Sequence, residues 1–130
     1  MLHGNILKIR DENATGQIFH ELELKFDKVE VTVKDIIVER VYREVILYNQ
    51  KADQVQNALV KPKDEEVRLN GKRIRHIDAE KQVEVALKAF ESNGFFMLVD
   101  DFQAEALEQI VPIKENTVIS FVKLTPLVGG

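Results

Sequence analysis

The chain has 130 residues and a hydrophobic content of 45%, the size and composition of one globular domain with one core. It contains no cysteine, which excludes disulfides, thiolate metal sites and a thiol nucleophile and suits a cytoplasmic location. A formal charge of −4 argues against general nucleic-acid binding, which needs a basic footprint, and suits a protein that meets basic surfaces.

From Asn5 to Phe26 the pattern is strand, turn, strand. Ile6, Leu7 and Ile9 form a short apolar run, DENATG (11–16) is rich in turn formers, and Leu22, Leu24 and Phe26 resume in alternation. Thr32 is placed to cap a helix, with Asp35 three residues on to reach back as a capping box. At helical periodicity Val33, Ile37, Val41, Val45 and Tyr48 fall on one stripe, widened by Val38, Tyr42 and Ile46. Glu39, Arg40, Arg43 and Glu44 fall opposite, with Ile36 and Leu47 as apolar exceptions on that polar side. So broad an arc predicts burial against two neighbours, a sheet and a second helix.

Residues 50–66 are polar, contain Pro62 and read as a loop. In VRLNGKRI (67–74), Asn70-Gly71 between two strand-like pieces predicts a small hairpin. Asp78 caps a second helix carrying Ala79, Val83, Ala86, Leu87 and Phe90 at spacings of three and four, and Asn93-Gly94 supplies a left-handed ending. FFMLV (95–99) is a continuous apolar run of strand length, expected at the centre of the sheet with both faces buried. After the polar stretch DDFQAEALEQ comes the last strand. There Val118, Ser120, Val122 and Leu124 face one side, Ile119, Phe121 and Lys123 the other. The economical arrangement is an α+β domain, a mixed sheet covered on one face by helices.

The chain closes with ISFVKLTPLVGG. Pro126 lacks a backbone donor and pushes Thr125 toward extended geometry, so the sheet is expected to stop there while the chain stays stretched. Leu127 to Gly130 then span about 13 Å when extended. Glycines let a backbone pass close to a nucleotide, and the Gly130 carboxylate carries no side chain to obstruct it.

This ending, IVPIKENTVISFVKLTPLVGG on a strand-strand-helix-strand-strand chain, resembles the β-grasp family of ubiquitin-like modifiers and sulfur carriers. The family includes ubiquitin, the thiamin-pathway sulfur carrier, the small subunit of molybdopterin synthase and prokaryotic ubiquitin-like proteins that travel with their own enzymes. The matching features are the apolar-Pro-apolar step Val111-Pro112-Ile113, the charged turn Lys114-Glu115-Asn116, the final strand and the Pro-x-x-Gly-Gly end at Pro126, Gly129 and Gly130. The resemblance is close over about the last twenty residues and topological before that. An insertion of a hairpin and helix over about 50–93 departs from the minimal pattern. It implies a β-grasp domain over 1–125, a mixed sheet on a long helix, and an extended flexible tail over 126–130.

What the resemblance implies chemically is a substrate protein and no enzyme. An adenylating partner would use ATP to activate Gly130 beside Gly129, recognising Pro126, Leu127 and Val128, while the chain itself binds no cofactor. The activated acyl group would pass through a partner's thioester to a target protein, aided by a conjugating enzyme and reversed by a deconjugating peptidase. As nothing follows Gly130, no processing peptidase is expected. Two alternatives stay open: a sulfur carrier with a C-terminal thiocarboxylate, and a noncovalent interaction module.

Other chemistry is weakly signalled. His3, His20 and His76 are dispersed, so no metal site is expected. Asp100-Asp101 reads as a turn before it reads as a cation site. KRIRH (72–76) with Lys61 and Lys63 makes a small basic patch whose default is a solvated hairpin face, and the run of Phe95, Phe96 and Met97 reads as core packing. No segment approaches the roughly 18 continuous apolar residues of a membrane span, and MLHGNILKIRDE lacks the apolar stretch of a signal peptide. Neither membrane nor nucleic acid is therefore expected as a partner.

Overall fold

The structure, a computed structural model, describes residues 5–57 and 76–123. Strands β1 (Asn5–Glu12) and β2 (Ile18–Phe26) form an antiparallel hairpin. The connection turns on Asn13, whose side-chain oxygen accepts from the backbone N–H groups of Thr15 and Gln17, and on Gly16 at φ +87°. A three-residue strand, β3 (Glu30–Thr32), runs straight into helix α1 (Val33–Asn57). The start of α1 is the expected capping box: Asp35 N–H donates to Thr32 Oγ1, and Thr32 N–H donates to the Asp35 carboxylate, both at 3.0 Å.

Helix α1 continues past the expected boundary at residue 50 to Asn57. The polar run from Gln50 contains neither glycine nor proline before Pro62, so nothing in it stops a helix already nucleated upstream. The Asn70-Gly71 hairpin lies outside the described residues, as does the rest of 58–75 within the expected insertion. Helix α2 (Ala79–Glu91) begins on Asp78, whose carboxylate accepts from the N–H groups of Glu80 and Lys81. Its end has Asn93 at φ 63°, with Asn93 N–H bonded to the Phe90 carbonyl and Gly94 N–H to that of Ala89. A Cβ on Gly94 would stand 3.2 Å from Ala89 Cβ, so close approach, rather than a left-handed angle, favours glycine there.

After α2 come β4 (Phe95–Val99), β5 (Phe102–Gln103), β6 (Ile110–Pro112) and β7 (Val118–Lys123). Five strands make one mixed sheet in the order β2-β1-β7-β4-β5, while β3 and β6 pair separately. Within the large sheet β1 and β7 are parallel and the other pairs antiparallel. The middle strand is therefore β7, not β4 as the apolar run suggested. On β4, Phe95 and Met97 are buried on the helix face, while Phe96 and Leu98 on the outer face are half-buried.

One face of the sheet carries the core. Leu7, Ile9, Leu24, Phe95, Met97, Ile119 and Phe121 cluster with Val33, Ile36, Ile37, Val41 and Val45 of α1 and Ala86 and Phe90 of α2. Phe95 links the layers, its ring centroid 5.9 Å from that of Phe90 and 5.8 Å from that of Phe121. The domain is α+β, with a mixed sheet and two helices. No helix among the described residues is long and apolar enough to cross a membrane.

The buried face of α1 is rotated from the expected one. Ile36 and Arg40 are inside, whereas Tyr42, Ile46 and Tyr48 are exposed. The reason is a polar partner: β1 presents Asp11 on its inward side, and the helix turns Arg40 to meet it.

Candidate functional site

The residues expected to carry the chemistry, Pro126, Leu127, Val128, Gly129 and Gly130, lie outside the described residues. What is described is the strand that leads to them. Strand β7 is held on both sides, by β1 over Val118 to Val122 and by β4 over Val118's neighbour Ile119 to Lys123. Its inward side chains Ile119 and Phe121 are fully buried, anchoring it to the core, and Val118 and Val122 are half-buried on the outer face, as the alternation predicts. The last described residue of the strand, Lys123, stands opposite Phe95.

That register places the exit of β7 beside a groove of about 450 Å³ lined by Phe90, Asn93, Phe95, Phe96, Ala104 and Leu107, with Glu91, Glu105 and Glu108 exposed around it. The lining offers aromatic edges, amides and carboxylates. Such a surface can recognise, but it holds no evident acid-base or nucleophilic pair.

The sequence reading missed a second constellation. Asp11 is 2% exposed, and its two oxygens accept from Nη1 and Nη2 of Arg40 at 2.6 and 2.5 Å, a bidentate fork. Arg40 Nε stands 2.6 Å from the Glu44 carboxylate, and its guanidinium carbon lies 5.3 Å from the Phe121 ring centroid. Burial alone would lower the pKa of Arg40, but its hydrogen bonds to Asp11 and the charges of Glu44 and Asp11 outweigh it, so the net shift is upward. On the same face, toward the sheet edge, the exposed His20 has Nδ1 3.2 Å from Asp11. The cluster is thus a permanently charged guanidinium neutralised by two carboxylates, a structural tie between β1, β2 and α1.

Comparison with known protein families, curated proteins and solved structures finds no match. The remaining sequence candidates separate accordingly. His20 belongs to the Asp11 cluster, His76 lies just before α2, and His3 is outside the described residues. Among the described residues no three metal-ligating side chains gather at one point. Asp100 and Asp101 form the turn between β4 and β5, with φ of 48° and 74°. Asp100 also accepts the Val118 N–H at 2.9 Å, pinning the turn to the start of β7. The basic patch over 61–75 lies outside the described residues. Two signals could have revealed the ion cluster: strand parity puts Asp11 on the same side as Leu7 and Ile9, and helical spacing puts Ile36, Arg40 and Glu44 on one line.

Proposed function

We propose that the chain is a ubiquitin-like protein modifier of the β-grasp type, activated at the Gly130 carboxylate. What supports this reading is the place of the last strand. The tail follows β7 in sequence, and β7 is the middle strand of the sheet, paired on both sides, so a partner gripping residues 126–130 would pull against a firmly held strand. The placement of the final strand beside and parallel to the first, with the helices between them in sequence and packed on one face of the sheet, adds to it.

The chemistry follows from a carboxylate without a neighbouring side chain. The Gly130 oxygen attacks the α-phosphorus of ATP on the activating enzyme and pyrophosphate leaves, giving an acyl adenylate. A partner's cysteine thiolate then attacks the carbonyl carbon and AMP leaves, forming a thioester. A target amine attacks in turn, loses its proton to solvent or a base, and releases the thiolate as an amide forms. The chain has no cysteine, so every thiol comes from a partner. Whether Gly130 ends the translated product or is uncovered by cleavage, the same carboxylate reacts.

Mass spectrometry of the protein isolated from its own cell tests this. Branched target peptides carrying the tail, Leu124 to Gly130 after cleavage at Lys123, are expected, and deleting the two glycines should abolish them while leaving the thermal transition of the domain unchanged. Replacement of one terminal oxygen by sulfur would instead identify a sulfur carrier, and a free, unaltered terminus under all growth conditions would leave only a noncovalent module.

A further inference from the structure

Strand β2 forms one edge of the large sheet and, among the described residues, pairs only with β1. An edge strand of nine residues is a template for another strand unless charge or shape forbids it. Along β2 the side chains of Glu21, Glu23 and Lys25 point to the outer face, and Leu22, Leu24 and Phe26 point toward the helices. Antiparallel pairing of this strand with itself about a two-fold axis keeps each face on its own side, so only registers that centre on a single residue are possible. Centred on Leu22, the pairing sets Glu21 against the partner's Glu23. Centred on Glu23 or on Lys25, it opposes identical charges at the axis. Centred on Leu24, it sets Glu23 against the partner's Lys25 twice and Leu22 against the partner's Phe26 twice, with Glu21 meeting the partner's Asp27 only past the end of the strand. Opposite charges and apolar pairs directly across a ladder are favourable, and like charges are not.

The flank of α1 beside this edge has the matching character. A groove of about 410 Å³ runs between Leu24 and Lys25 of β2 and Tyr42, Arg43, Ile46 and Leu47 of α1. Tyr42 is 37% exposed, Ile46 53% and Leu47 55%, large apolar side chains with no cover from any described element. An axis through Leu24 would bring two such grooves together, covering these residues and the open sides of Leu22 and Phe26. It would also bring Glu39 and Arg43, of opposite charge, onto a shared rim. We propose that this face binds a second copy of the chain, with β2 paired antiparallel to the partner's β2 about Leu24 and the α1 flanks packed beside it, so that two five-stranded sheets become one of ten. The proposal is independent of the chemistry of the tail.

Sedimentation equilibrium of the full chain over micromolar to millimolar concentration at moderate salt tests it, with circular-dichroism melts to verify folding. The unaltered chain is expected to dimerise. Lys25→Glu stands opposite Ile6 in its own sheet, disturbing no charge pair there. It should weaken the dimer about tenfold by placing carboxylates face to face at two sites. Glu23→Lys also faces Lys8 in its own ladder, so its melt is expected to fall as well as its dimer affinity. Glu23→Lys with Lys25→Glu, compared with Glu23→Lys alone, should restore the affinity to within roughly threefold of the unaltered chain, because each swapped pair across the axis regains opposite charges. Ile46→Asp, on the helix flank, should also weaken it. A folded chain that stays monomeric throughout the range would overturn the proposal, as would a dimer whose single charge reversals are not rescued by the double exchange.

Discussion

Arg40 places a charge where the core would otherwise be apolar, between the Asp11 fork, Glu44 and the ring of Phe121. Taking a guanidinium and a carboxylate out of water costs several kcal/mol per ion, and only close geometry with every lone pair answered offsets it. The arrangement is therefore asymmetric in its response to mutation. Asp11→Ala leaves Arg40 with one carboxylate and is expected to cost about 3–5 kcal/mol, seen as a lowered urea midpoint with unchanged slope. Asp11→Leu combined with Arg40→Met removes both charges, fills similar volume and is expected to recover most of that loss. A double variant as unstable as Asp11→Ala would mean that the ion pair itself holds β1 to α1. The raised pKa of Arg40 carries a sign: folding holds its proton more tightly, so the contribution is complete below the ordinary arginine value and is lost only as pH rises through the still higher folded one. No loss of stability traceable to Arg40 is therefore expected across roughly pH 7 to 10. Reading Arg40 as solvated misplaced the helix face because charge was taken as a mark of exposure, whereas Ile36, one turn before it, already pointed inward.

At the scale of single elements, the features read correctly beforehand depend on residues close in sequence. The Thr32-Asp35 box, the Asp78 cap and the Asn93-Gly94 ending each join groups no more than five residues apart, so their chemistry is visible in a short window. Strands β3 and β6 are three residues each and exist only through one another, Val31 opposite Val111, with most of the domain between them. No local pattern announces such a pair. The β4–β5 turn lies between these cases. Its two aspartates both adopt left-handed angles, the requirement of a type I′ turn, but only Asp100 has a second task, accepting the Val118 N–H. Asp101→Gly is accordingly expected to stabilise the domain by up to about 1 kcal/mol through relief of the backbone cost. Asp100→Ala should destabilise it by about 1–2 kcal/mol, since it keeps the strained angle and removes the acceptor. Thermal melts of the two variants check the contrast, and equal effects would show that the Asp100 side chain adds nothing to the backbone bond from Asp100 N–H to the Val118 carbonyl.

For the molecule as a whole, the order of strands along the chain is legible but their order in the sheet is not, because parity and hydrophobic runs mark what a strand buries and not which strand lies beside it. FFMLV looked central from its apolarity alone. The central place belongs instead to β7, whose Ser120 made it look less buried than it is. This placement has a consequence for folding. Among the described residues the two halves of the sheet, β2-β1 and β4-β5, meet only through the last strand, and β7 supplies Ile119 and Phe121 to the core and the ring beneath Arg40. A chain ended after Thr117 lacks both ladders and two fully buried large side chains. Losing a large buried apolar side chain costs roughly 2–5 kcal/mol, so two exhaust the 5–15 kcal/mol stability of a typical domain at its lower end, before the ladders are counted. Such a chain is expected to be unfolded by circular dichroism and amide proton dispersion. A chain ended after Thr125 retains every residue of β7 and is expected to fold with a cooperative transition close to that of the full chain. If the shorter chain folded, the two half-sheets would have to be stable apart. The proposed handle would then follow a strand the domain can do without, and the support that the place of β7 lends to the proposal would be lost.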